Sequence, residues 1–253
     1  MVSSVIVVVA IILFVRLATR RASLVPSGAQ NFLEWVVESL FNLVESVVGK
    51  GLVRKTMPLL ASYFIFILVA NWTGLLPGVG TVGFLHEEGG KTEFVPLLRG
   101  ANADLNMTLA LASSFMLVWL VWTLREVGLV GFLKHTFGPK SLMETLGSSG
   151  IAKAAIIGMN VFLCVIFFGV GIVELISIAS RLLSLPIRLY GNIYAGENLI
   201  ESLMNMFGPW WGIFVCIPAY VMELMVGFIQ AFVFLLLCSV YTQLSATNEE
   251  EGH

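Results

Sequence analysis

The sequence predicts an all-α integral membrane protein: five membrane-inserted helical segments plus a surface amphipathic helix, with a long tilted C-terminal hairpin. Three observations predict it. Of the 253 residues, 58% are hydrophobic and 12% charged, against roughly 45–50% and 25% in soluble domains, and the mean hydropathy is +0.92. The apolar residues gather into runs of about 20, the length that crosses a hydrocarbon core about 30 Å thick. From Ala154 to Tyr241 the chain stays apolar apart from single charges, with Gly208-Pro209 as its break. This balance excludes a disordered chain, a basic nucleic-acid binder and an ordinary cytosolic enzyme. A net charge of −2 argues for no charged partner.

The first segment is Met1 to Ala18, with Arg16 near its end, where a long side chain reaches the interface. Its positive charges, Arg16, Arg20 and Arg21, follow the apolar run, so it does not read as a signal peptide. In residues 31–48, Glu34, Glu38 and Glu45 share one helical face and apolar residues fill the other, which predicts an amphipathic helix along the membrane surface. That acidic face is unlike lysine-rich lipid binders, so packing on a neighbouring protein helix is as good an expectation. The second span is read as residues 58–76, with Trp72 at the interface and Pro77-Gly78 as the stop. A loop from Val79 to Ala103 holds His86, Glu87, Glu88 and Glu93. The third span is residues 104–124, followed by a polar, glycine-rich connection from Arg125 to Lys153 that carries Lys134, His135 and Lys140. Residues 154–207 are too long for one perpendicular crossing and predict a tilted or broken helix. Residues 210–241 return, and 242–253 form an acidic tail. No internal repeat is visible.

Loop charges predict the orientation. With the amino terminus outside, ten of the 14 basic residues are cytoplasmic, and of the loop cations only Lys91 and Arg99 face outward. The positive-inside rule therefore selects a carboxyl terminus in the cytoplasm. Cys164, Cys216 and Cys238 sit in apolar runs without a C-x-x-C, and His86, His135 and His253 in polar stretches, so no metal site or disulfide framework is expected. Neither G-x-x-x-x-G-K-[ST] nor G-x-G-x-x-G is present, and no cofactor is expected.

Charge within the hairpin is what lipid alone would not select, because an ionisable group at the bilayer centre costs at least about 2.5–3.5 kcal/mol. Glu174, Ser177, Arg181, Ser184, Arg188 and Asn192 recur every three or four residues and form one polar helical stripe. Counting from Pro209, Arg188 lies 21 residues before the turn and Gln230 21 after it, so an antiparallel pair sets them level. The same count sets Glu197 level with Glu223. Glu197 is nine positions from Arg188 and points to the opposite side, which suggests two aqueous cavities with a permanently charged guanidinium between them.

Other readings stand beside this one. Ser177 and Ser184 can bond a carbonyl one turn back, Arg181 can snorkel or pair with Glu174, and Glu201 is close to the interface. Asp104 and Asn106, at the start of the third span, are candidates for the polar route, with helix capping as the alternative. His86, Glu87 and Glu88 fit a solvated loop or a proton-gathering surface. A secondary transporter would show paired halves. An intramembrane hydrolase would need a nucleophile with a base, and no histidine or aspartate pair lies within a span.

The stretch Ser184-Leu-Pro-Ile-Arg188-Leu-Tyr-Gly-Asn192-Ile-Tyr-Ala-Gly-Glu197 closely resembles the signature of subunit a of the F-type ATP synthase. Asn71-Trp-Thr-Gly-Leu-Leu-Pro-Gly78, Ala103-Asp-Leu-Asn106, Gln230-Ala-Phe232 and the acidic tail match in order and spacing. The resemblance implies a proton-conducting stator subunit that is not catalytic alone. Arg188 would be the essential arginine facing the c-ring carboxylate. Asn192, Glu197, Glu223 and Gln230 would line the outer half-channel, and Glu174, Ser177, Arg181 and Ser184 the inner one. Some family members have a histidine where this sequence has Glu197 or Glu223, so here two carboxylates must share protons or water. The implied partners are the c-ring, the peripheral-stalk subunit b, protons as transported ion and the lipid bilayer, with no nucleic acid. A multi-pass place in a bacterial inner membrane is expected.

Overall fold

The computed structural model describes residues 2–20, 28–76, 79, 83–88, 91–96, 99–137 and 150–250. Pro77-Gly78, Arg21, Lys140 and the last three residues lie outside these. So do the side chains of Lys134, His135, His86, Glu87, Glu88, Glu93 and Arg181. The elements are α1 (Val2–Thr19), α2 (Ala29–Val48), α3 (Lys50–Gly74), β1 (Gly83–Glu88), β2 (Lys91–Pro96), a 3-10 turn at Ala101–Ala103, α4 (Leu105–Phe137) and α5 (Gly150–Glu250). Five helical stretches are long and apolar enough to cross a membrane: Val2–Thr19, Lys50–Gly74, Leu105–Arg125, Met159–Gly208 and Trp210–Gln243. The chain is a multi-pass, all-α membrane protein, and its one departure from helix among the described residues is an antiparallel β1–β2 hairpin.

Two compact units share the chain, residues 1–112 with 185–253 and residues 113–184. In the first, α3 is the central post. Its buried residues Val53, Met57, Leu60, Phe64, Ile67 and Asn71 recur every three or four positions, so one stripe faces protein along the whole helix. α2 packs on α3 and is buried at Leu40, Val44 and Val48, while Glu34 and Glu38 stay exposed. α1 also packs on α3, and Val7, Ala70 and Ala101 form a small buried cluster.

Glycine makes the sharp joints. Gly49, between α2 and α3, has φ 85°, and Gly208, the break in α5, has φ 73°, a region that a side-chain-bearing residue enters only at a cost. Gly208 divides α5 into an outgoing arm and a return arm. From Cys216 through Ala219, Glu223, Gln230 and Phe234 to Cys238 the return arm is buried at helical spacing. Its other side leaves Ile213, Phe214, Ile217, Val221 and Met225 more than half exposed, as suits a helix whose solvent is hydrocarbon.

The return arm is tied to α3 by rings and amides. Phe64 meets Phe228 edge-on with centroids 6.2 Å apart, and Tyr63 lies 5.8 Å from Phe234. The buried Asn71 donates from Nδ2 to the Gly227 carbonyl at 3.0 Å and accepts from Asn102 Nδ2 at 2.7 Å. Trp72 Nε1 donates to the Leu224 carbonyl at 3.2 Å.

The second unit holds the part of α4 from Ser113, broken at Gly128 with φ 75°, and the outgoing arm up to Ser184. Met159, Val161, Phe162 and Val165 are widely exposed there.

Three stretches differ from the sequence reading. α3 begins at Lys50 instead of Pro58, because a proline removes one hydrogen bond without ending a helix that is otherwise supported. Residues read as a loop pair as strands, Gly83 with Pro96 through Glu88 with Lys91, since backbone hydrogen bonding does not need an apolar pattern. The connection after Arg125 stays helical to Phe137, with Gly128 absorbing the break.

Asn71 joins two buried hydrogen bonds, each worth about 0.5–1.5 kcal/mol net. Asn71→Ala should therefore lower the stability of the detergent-solubilised protein by about 1–3 kcal/mol, read as a lower midpoint of equilibrium unfolding.

Candidate functional site

Polar groups converge in the first unit, where the return arm meets the outgoing arm beyond Leu185. The outgoing arm is buried at Leu185, Leu189 and Ile193, four residues apart, so Arg188 is turned off that face and is exposed. Among the described residues Arg188 forms no ion pair. One turn further, Asn192 Nδ2 donates to Gln230 Oε1 at 3.2 Å. Gln230 is 4% exposed, and its Nε2 has no partner among the described residues.

Glu223 sits two turns along the return arm from Gln230 and is likewise 4% exposed, with Oε1 unpartnered among the described residues. Its carboxylate lies so close to Gly196 that any Cβ there would run into it. With glycine at position 196 this carboxyl packs directly against the outgoing arm, and a larger residue there would make it shift. Glu197 follows directly and is half-buried. Its Oε2 accepts from Arg99 Nε at 3.3 Å, and the Arg99 guanidinium carbon lies 5.9 Å from the Tyr194 ring centre. Tyr194 in turn stacks on Tyr190 at 5.6 Å.

Glu197 and Glu223 therefore stand together across the hairpin, near enough for their charges to interact. Gln230, however, is bonded to Asn192, one helical turn from Arg188. The observed partners therefore depart from an equal count from Pro209. Cys216 Sγ donates to the Ile200 carbonyl near the turn, and the partners drift from there toward Gln230 and Asn192.

Asp104 and Asn106 are exposed, and Asp104 Oδ1 accepts from the Asn106 backbone N–H at 2.9 Å, a cap on the start of α4. Glu174 and Ser177 are half-buried and Ser184 exposed. These three and Arg181 belong to the other unit.

Three contributors were passed over as functional candidates in the sequence reading. Arg99 looked like an outward loop cation. Asn102 is 0% exposed, with Oδ1 unpartnered among the described residues. Asn71 was noticed only as part of a motif, although an amide in the middle of an apolar stripe is itself a signal of a buried polar contact. The assembled groups can hold, share and pass protons. Among the described residues no three His, Cys, Asp or Glu gather to hold a metal ion.

The family model for the ATP synthase A chain matches residues 1–243. The chain belongs to this family. It is 32% identical over 247 residues to ATP synthase subunit a of Trichlorobacter lovleyi, covering 98% of this chain and 85% of that one. It is 34% identical to ATP synthase subunit a 2 of Syntrophotalea carbinolica, covering 94% and 80%, and 27% identical to ATP synthase subunit a of Campylobacter fetus, covering 98% and 89%. Within this A-chain family member, the stretch from Ser184 to Glu197 that carried the resemblance forms the end of the outgoing arm.

The observed register has a direct check. In a cysteine pair series, Asn192→Cys with Gln230→Cys should crosslink through a short bifunctional reagent faster than Arg188→Cys with Gln230→Cys. Equal or reversed rates would return the hairpin to the symmetrical count.

Proposed function

We propose that this chain is the proton-translocating stator subunit a of a rotary ATP synthase, in which two aqueous half-channels face a c-ring and couple proton flow to rotation and ATP synthesis. The observation that carries this reading is Arg188, an exposed guanidinium on a helix long and apolar enough to cross a membrane, unpaired among the described residues. A cation in that position calls for an anion. A ring of membrane carboxylates would provide one.

The mechanism follows from charge and solvent. Protons enter from outside by Glu223 and Glu197, with Asn192, Gln230, Asp104 and Asn106 along the same path. They neutralise a ring carboxyl, which can then face lipid; as a carboxylate it is held near Arg188. After a turn of the ring the proton leaves past Glu174, Ser177, Arg181 and Ser184. Because a guanidinium keeps its proton at any physiological pH, Arg188 separates the two cavities without relaying protons itself. The chain is not catalytic alone, and nucleotide chemistry belongs to other subunits of the H⁺-transporting complex. The partners in this reading are the c-ring, subunit b of the peripheral stalk and the lipid of a bacterial inner membrane, with the amino terminus outside and the carboxyl terminus cytoplasmic.

In inverted vesicles carrying the whole complex, Arg188→Ala should abolish ATP-driven proton pumping yet leave the membrane permeable to protons once the catalytic sector is stripped. Normal pumping would make the arginine structural and end this mechanism. Glu197→Gln and Glu223→Gln should each slow pumping by about tenfold or more, equivalent to about 1.36 kcal/mol of barrier. Unchanged flow in both would remove these two residues from the path.

A further inference from the structure

Arg99 precedes the 3-10 turn at Ala101–Ala103 and reaches into the hairpin from outside it. Four contacts converge on this residue and its neighbour. Its Nε donates to Glu197 Oε2 at 3.3 Å, its guanidinium lies 5.9 Å from the centre of the Tyr194 ring, and its backbone N–H donates to Ser3 Oγ of α1 at 3.3 Å. At Gly100 a Cβ would stand 3.0 Å from Glu197 Oε1, so the backbone closes against the other carboxylate oxygen. One oxygen of Glu197 is thus met by a cation and the other by bare backbone. This is the only ion pair among the described residues.

The pairing bears on the two-carboxylate cluster. Glu223 is buried with no cationic partner among the described residues, while Glu197 is the more open of the two. A guanidinium on Glu197 offsets one of two neighbouring negative charges and draws that carboxylate toward the loop and α1. The Arg99 side chain is 48% exposed and that of Glu197 30%, so the pair sits where water can separate it. A contact of this kind can open and re-form in each transfer cycle.

We infer that Arg99 is a positioning residue for proton passage, a releasable counter-ion that orients Glu197 at the mouth of the polar cluster and lets it hold charge beside Glu223. The inference rests on the channel reading above and gives it a component outside the membrane spans. The tether from the Arg99 backbone to Ser3 does not depend on the side chain, so substitutions at position 99 act on the side-chain contacts with Glu197 and Tyr194.

The test is a double-substitution cycle in inverted vesicles containing the complete complex, with ATP-driven pumping expressed per assembled complex. The chains compared are the parent, Arg99→Gln, Arg99→Lys, Glu197→Gln and the Arg99→Gln, Glu197→Gln double variant. Arg99→Met, which keeps the apolar stem, replaces the glutamine chain if that one does not assemble. Arg99→Gln is expected to slow pumping by about fivefold, the scale of one partly exposed ion pair, and Arg99→Lys to restore most of it. The double variant is expected to be no slower than Glu197→Gln. Arg99→Gln slowing the Glu197→Gln chain by the same factor as the parent, or leaving the parent unaffected while Glu197→Gln is slow, overturns the role of Arg99 and leaves the channel reading in place. Full pumping by Glu197→Gln removes Glu197 from the path and overturns this inference with it.

Discussion

A chain that runs through hydrocarbon must satisfy every backbone hydrogen bond within its own helices and must find a protein partner for each polar side chain it carries inward. That constraint organises this molecule. Helix is the covering of the backbone, and amides, an indole and packed rings join the helices to one another. Asn71 shows it most clearly. Its side chain links the Gly227 carbonyl on the return arm of α5 with Asn102 beside the 3-10 turn. Three separate segments are thereby held at one point, and the large apolar side chains pack around that point.

The same constraint explains why glycine marks the site. Glu223 packs into the space that Gly196 leaves by having no side chain. Gly100 allows the backbone to approach Glu197 in the same way. The two glycines lie on different segments and fit two neighbouring carboxyls. Two neighbouring carboxyls can then pack side by side, where repulsion and burial would otherwise oppose them.

Arg188 is the complement of this arrangement. Its side of the helix is turned from the buried residues Leu185, Leu189 and Ile193, and no acid among the described residues answers it. Of the two carboxyls in the site, Glu197 pairs with Arg99 and Glu223 lies against Gly196. A guanidinium that pairs with no carboxylate among the described residues suits the stator role proposed for this family member.

The all-α membrane class was legible in composition and run length, because hydrocarbon selects apolar residues at each point of a span independently of what the helix later touches. The candidate residues Arg188, Glu197 and Glu223 were legible for the converse reason: a charge in an apolar run is costly, and its presence needs an explanation. Register was decided only in three dimensions, since the residue that reaches Gln230 is Asn192, which an equal count from Pro209 does not give. The strand pairing of residues 83–96 was likewise invisible, because it rests on backbone groups that every residue has. Arg99 is the sharpest case. In the sequence it is a solvated cation 98 positions from Glu197, and only the folding of that loop against the hairpin makes it the counter-ion of a carboxylate.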